Sequence, residues 1–156
     1  GQWFAVPLLT AGYALGIVAR GSYKTKVPLG YFFGPRYLDI PGNEATLDKK
    51  HENAILVAWF GDLRIIDGAW PLITSSRTFS RNEWPIPLFG RKSPLTPGKA
   101  FLVEYGENPD GQKLAIRESV VPESYIAALP EDGLKGADVI AYLLTELLDR
   151  KTPSNY

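Results

Sequence analysis

A sustained helical period of apolar residues is confined to the tail of this chain. Between residues 137 and 149, Ile140, Leu143, Leu144, Leu147 and Leu148 fall at i, i+3, i+4, i+7 and i+8, one continuous stripe. Asp138 stands near the positive end of that helix, Arg150 and Lys151 near its negative end, and Pro153 beyond it. Upstream, the apolar residues come in short runs cut by glycine and proline. Strands are expected over residues 1–8, 13–20 and 27–33, the last ended by Gly34-Pro35. Residues 41–53 are polar and suit a loop with one helical turn. The run AILVAWF, residues 54–60, has strand length and no polar face, which predicts a strand buried on both sides. Residues 63–66 and 70–74 are expected to pair across an Asp67-Gly68 turn. Residues 100–105 and 112–120 pair across Asn108-Pro109-Asp110-Gly111, where proline presets the turn and glycine allows positive φ. A short helix over 122–129 with Pro122 in its first position, then a turn-forming linker at 130–136, lead to the terminal helix. Strands without intervening helices argue against a doubly wound parallel sheet. The fold class is α+β, mostly β: a bent, mostly antiparallel sheet or partly open barrel with the C-terminal helix packed on it.

The segment SRTFSRNEWPIPLFGR, residues 76–91, fits neither period. Pro85 and Pro87 exclude a helix and a central strand, because each removes an amide donor. Yet Phe79, Trp84, Ile86, Leu88 and Phe89 are too apolar for a free loop. One reading is an extended strap that seals a sheet edge, with Ile86 and Leu88 inward. The other is a binding surface. Trp84 lies between Glu83 and Pro85 and is not readily placed in a core, and Arg77, Arg81 and Arg91 are suited to carboxylate or phosphate forks. Tyr31, Phe32 and Phe33 precede Gly34-Pro35-Arg36. Alternation turns at least one of these three aromatics away from a single core, which adds Tyr31 and Arg36 to the candidate partner-binding residues. Trp59 and Trp70 are expected in the core.

At 156 residues the chain fits one domain, 1–156, long enough to bury a core unaided. It has no cysteine, so disulfides and thiolate metal sites are excluded. No apolar run approaches the ~20 residues of a membrane span, and the start lacks the basic region of a signal peptide. Net charge is zero, without a basic run, which argues against a nucleic-acid partner. The charge is unevenly placed. Residues 1–99 hold 12 Lys and Arg against 7 Asp and Glu, and residues 100–156 hold 5 against 10. The halves are expected to attract each other, or else to present a dipolar surface to a partner.

Catalytic signatures are missing. The single histidine, His51, sits among lysines and a glutamate and reads as a solvated surface residue. No GxSxG elbow, GxxxxGK[ST] loop or GxGxxG fingerprint occurs. The acids Glu131-Asp132 and Asp62 with Asp67 read as turn residues.

The ordered set WFAVPL, GYALGIV, LGYFFGP, AILVAWFGDL, GAWPLI, RNEWPIPLFGR and LPEDGLKGADVIAYLLTELL resembles the immunity protein 26 family of bacterial polymorphic-toxin systems, from Gln2 to Leu148. Members often carry an acid where this chain has Gln2. The resemblance implies a small cytoplasmic protein whose partner is a cognate toxin, bound and neutralised without a cofactor. The same family also carries the name of a small phosphotriesterase. Familiar enzymes of that activity hold two metals with several histidines. Here a metal site would need carboxylates such as Asp39, Glu44, Asp62 or Asp67, which show no ligand spacing. An immunity protein needs a rigid scaffold, a complementary face and a few anchors, which this sequence supplies more readily.

Overall fold

The computed structural model describes residues 1–21, 27–75, 78–107 and 113–151. Arg77 and the Asn108–Gly111 turn lie outside them. Among the described residues the chain forms two sheets and a terminal helix. The first sheet contains β1 (Gln2–Pro7), β2 (Tyr13–Arg20), β3 (Leu29–Tyr37), β4 (Leu56–Phe60), β5 (Leu72–Ser75) and a late two-residue strand, Leu134–Lys135. Its spatial order is β5-β1-β2-β3-β4 and then Leu134–Lys135. The second sheet is β6 (Phe89–Lys92), β7 (Lys99–Glu107) and β8 (Lys113–Pro122). The strand Leu134–Lys135 is β9, and the terminal helix Ala137–Lys151 is α2; α1 is the single turn Leu63–Ile66.

Alternation along the central strands builds two cores, one on each face of the first sheet. Phe4, Ala14, Phe32, Ala58 and Phe60 meet Ile140, Leu144 and Leu148 of α2 on one side. Trp3, Leu15, Ile17, Tyr31, Phe33 and Trp59 meet Trp84, Phe89 and Val103 on the other. The sheet is thus a middle layer, and its near-continuous apolar runs follow from burial on both faces. Gly16 and Gly30 make room for the phenylalanine cluster: a Cβ on either would come within 2.4 Å of Phe4 or 2.7 Å of Phe60.

The strands expected at 1–8, 13–20 and 54–60, the 100–120 hairpin, the short helical turn after Pro122 (Glu123–Ile126) and the terminal helix are all present. Residues 41–53 hold two 3-10 turns, Asn43–Thr46 and His51–Asn53. Three expectations are corrected. First, β3 runs through Gly34-Pro35, whose peptide bond is cis. Proline is tolerated there because β4 pairs only with Leu29–Phe32, and the β2 register breaks between Leu15↔Phe33 and Tyr13↔Tyr37. Second, residues 63–66 do not pair with 70–74. They close one helical turn, with Asp67 N bonded to Leu63 O at 2.9 Å, and Gly68 at φ 79 ends it. β5 pairs with β1 instead. Third, the 130–136 stretch is more than a linker, because β9 adds to β4 in parallel, Trp59↔Leu134 and Phe60↔Lys135.

Candidate functional site

Residues 78–88 lie across the open side of the second core as an irregular strap, with one 3-10 turn at Arg81–Glu83. Side chains from three separate elements hold its backbone. Arg20, at the end of β2, donates from Nη1 to Trp84 O at 2.7 Å and from Nη2 to Arg81 O at 3.1 Å. His51 Nδ1 bonds Glu83 O at 3.0 Å, which requires the tautomer protonated there. Tyr31 OH donates to Pro85 O at 2.5 Å. Four carbonyls, those of residues 81, 83, 84 and 85, are therefore satisfied by side chains where no ladder reaches them.

Trp84 is the strap's inward knob. It is 6% exposed and packs edge-on against Trp3, Tyr31 and Phe33 at ring distances of 5.9, 5.4 and 5.9 Å. This corrects the placement of Trp84 outside a core. Tyr31 is also buried, and all three aromatics of Tyr31-Phe32-Phe33 face a core, because there are two cores to receive them. Leu88, expected inward, is 42% exposed; Ile86 packs on the core as expected. Burial first, and Glu52 to a lesser degree, push the Tyr31 hydroxyl up to about 12, against the opposing pull of Arg20.

The described arginines are already engaged. Arg20 Nε faces Glu107 Oε1 at 2.6 Å, an ion pair inside the seam where β2, the strap and β7 meet. Arg81 binds the other oxygen of Glu107. Arg91 holds Asp132 at 2.8 Å and also pairs with Glu118. Arg36 pairs with Asp149 on α2, and Arg64 reaches Asp138 at 3.8 Å. Each of these five arginines belongs to the basic first part of the chain, and each meets an acid from the acidic last third. The uneven charge noted in the sequence thus becomes a set of ion pairs between the two parts of the chain, buried at Arg20–Glu107 and exposed at Arg64–Asp138. Asp132 also accepts from Tyr105 OH at 2.5 Å. Burial, then that bond, raise the Tyr105 hydroxyl. Beside it the Lys113 ammonium lies 4.4 Å from the Tyr105 ring centre and 5.0 Å from that of Trp59. Burial lowers its pKa.

Of the sequence-named residues, the fold brings Tyr31, Arg81 and Trp84 together at the strap. It sets Arg91 at the second sheet and Arg36 against α2. Arg20, Glu107 and the fastening role of His51 were not found from sequence. The available signal was an arginine closing the otherwise apolar strand YALGIVAR.

Beside the strap runs a groove of two adjoining cavities, about 500 and 320 Å³, that share Leu47, Lys49, Glu83 and Trp84. Trp3 and Phe79 line the larger cavity, and His51 and Glu52 the smaller. No three of His, Asp and Glu are gathered so as to hold a metal ion among the described residues, Asp39, Glu44, Asp62 and Asp67 included. No helix among them is long and apolar enough to cross a membrane.

A sheet with a core on each face, one closed by α2 and the other by a fastened strap, defines an α+β scaffold. The family model described as immunity protein 26 matches residues 1–100, which span β1 to β6 and the whole strap. The chain belongs to the immunity protein 26 family. The match stops short of the Leu148 reached by the motif resemblance, before most of β7. No curated protein and no solved structure matches the chain.

Proposed function

We propose that this chain is a cytoplasmic immunity protein that binds a cognate toxin domain and neutralises it by occlusion, without chemistry of its own. Family membership over residues 1–100 carries the reading. The strap supports it: a segment fixed at four carbonyls presents its outer face with little ordering left to do on binding. The proposed contact face is that outer side. Arg81, whose side chain is 60% exposed, is the foremost contact. The partly exposed Arg91 and Arg36 flank it more distantly. Trp84 and Tyr31 act from beneath as positioning residues. Arg77 remains a proposed contact on sequence grounds alone.

The test is co-expression with the toxin domain encoded beside this chain's gene, followed by affinity measurement on the purified pair. Growth should be restored and a complex recovered. Continued killing with no complex would overturn the proposal. Arg81→Ala should weaken the complex at least several-fold with little change in melting temperature, because Arg20 still holds Glu107. Unchanged affinity would remove Arg81 from the contact face.

A further inference from the structure

A recess of about 750 Å³ lies beside β6, at the edge of the second sheet. Its wall is mainly apolar: Ile126, Ala127 and Leu129 line it together with Gly90 of β6. Gly90 lets that wall approach, since a Cβ there would meet Ile126 Cβ at 2.4 Å. Four charged side chains stand around it, and each has a partner within the chain. Lys92 pairs with Glu123 at 2.5 Å, Arg91 with Asp132 at 2.8 Å, and Glu131 with Lys135 at 2.7 Å. A recess whose charges are already paired selects an uncharged occupant. Residues 93–98, Ser-Pro-Leu-Thr-Pro-Gly, follow Lys92 and carry no charge. Leu95 in this loop is 90% exposed. A lone exposed leucine is ordinary, but this one is held in place. Ser93 Oγ accepts from Leu95 N at 3.3 Å and from Thr96 N at 3.1 Å. Ser93 N bonds Lys99 O at 2.9 Å, and Gly98 O accepts from Glu123 N at 2.9 Å, which ties the loop to the recess. Pro94 and Pro97 restrict the backbone further. Lys99, exposed at the loop's base, does not line the recess.

We propose that this edge pairs with a second copy of the chain, the Leu95 loop of each copy entering the recess of the other. A surface that carries plug and recess side by side is self-complementary about a two-fold axis, and the assembly closes at two copies. The recess has the volume of a small-ligand pocket, so it takes the loop tip and not the leucine alone. The chain itself supplies an uncharged, exposed and ordered plug, which selects a second copy over a partner that would have to bring one. Two loop tips should bury less than the ~1,600 Å² of a standard stable interface, so the pair is weak, with a Kd on the order of tens of micromolar. The inference is independent of the toxin-binding reading.

Sedimentation velocity of the native chain over about 1–200 µM should show reversible association into dimers and nothing larger. Leu95→Asp and Ala127→Arg should each weaken that association by about tenfold or more. Leu38→Asp, a control that removes another leucine 81% exposed, should change it less than about twofold. All three positions are exposed, so the variants should melt within a few degrees of the native protein. Leu95→Lys and Ala127→Glu should each dissociate the pair alone. Mixed together they should associate to within about threefold of native, because the new cation then meets the new acid and the other contact is unchanged. A native chain that stays monomeric to about 200 µM overturns the proposal. So does association that Leu95→Asp leaves undiminished. A monomer whose toxin complex is weakened by Ala127→Arg would assign the recess to the toxin and overturn the pairing as well.

Discussion

Trp84 shows how little the immediate neighbours of a residue say about its burial. Glu83 and Pro85 on either side of it are exposed, yet the indole is sunk among Trp3, Tyr31 and Phe33. Removing it opens a cavity under a strap that has few other apolar attachments. Trp84→Ala should therefore cost about 3–5 kcal/mol of folding stability, read by chemical denaturation. A loss below about 1 kcal/mol would mean that the strap is held by its carbonyl bonds alone. Tyr31 supplies one of those bonds. Tyr31→Phe leaves the Pro85 carbonyl without that donor and should cost about 1–2 kcal/mol at neutral pH. Its pH dependence has a definite sign. The folded hydroxyl titrates at about 12 and the unfolded one at about 10, so between those values the folded state holds the extra proton. The stabilisation is full below about pH 10 and is lost as pH rises towards 12. The stability gap between native protein and Tyr31→Phe should narrow over that window. A constant gap would show that Tyr31 ionises alike in both states.

Elements were legible where one period governs them. The α2 stripe, the two-face burial of β4 and the 100–120 hairpin follow from local pattern. The misread elements are those decided elsewhere in the chain. The Asp67-Gly68 turn does need positive φ, but Gly68 supplies it to end a helical turn, because β5 finds its partner in β1. β3 passes Pro35 because neither neighbouring strand asks that position for a donor. The strap was recognisable as neither helix nor strand, while its fastening by Arg20 was not, since Arg20 stands more than sixty positions away. That seam makes a prediction about its acids. Glu107 is 13% exposed and holds both the buried Arg20 and Arg81, whereas Glu118 is 44% exposed on β8. Glu107→Gln should cost about 3 kcal/mol or more, the penalty for leaving a buried charge unpaired. Glu118→Gln should cost about 1 kcal/mol or less, as at an exposed pair. Equal losses would place both pairs in the same solvent environment and dissolve the seam as a distinct structural unit.

At the scale of the whole molecule, the first sheet is shared by two cores, an arrangement that should make the layers unfold together. Phe32 and Phe33 are adjacent in the chain yet serve opposite cores, so the helix side cannot loosen without disturbing the backbone that carries the strap side. The ion pairs Arg20–Glu107 and Arg91–Asp132, each with a buried member, act in the same direction, joining the part of the chain matched by the family model to the last third. Unfolding should then be a single transition. The tryptophans allow a direct check. Trp70 belongs to the helix-side core, and Trp3, Trp59 and Trp84 to the strap side. In a Trp70→Phe variant, fluorescence reports the strap side alone, while far-ultraviolet circular dichroism reports chiefly α2. Denaturant midpoints from the two signals should coincide. If the helix signal is lost at clearly lower denaturant, α2 is a detachable layer, and the rigidity assigned to the strap must come from the second sheet and its ion pairs alone.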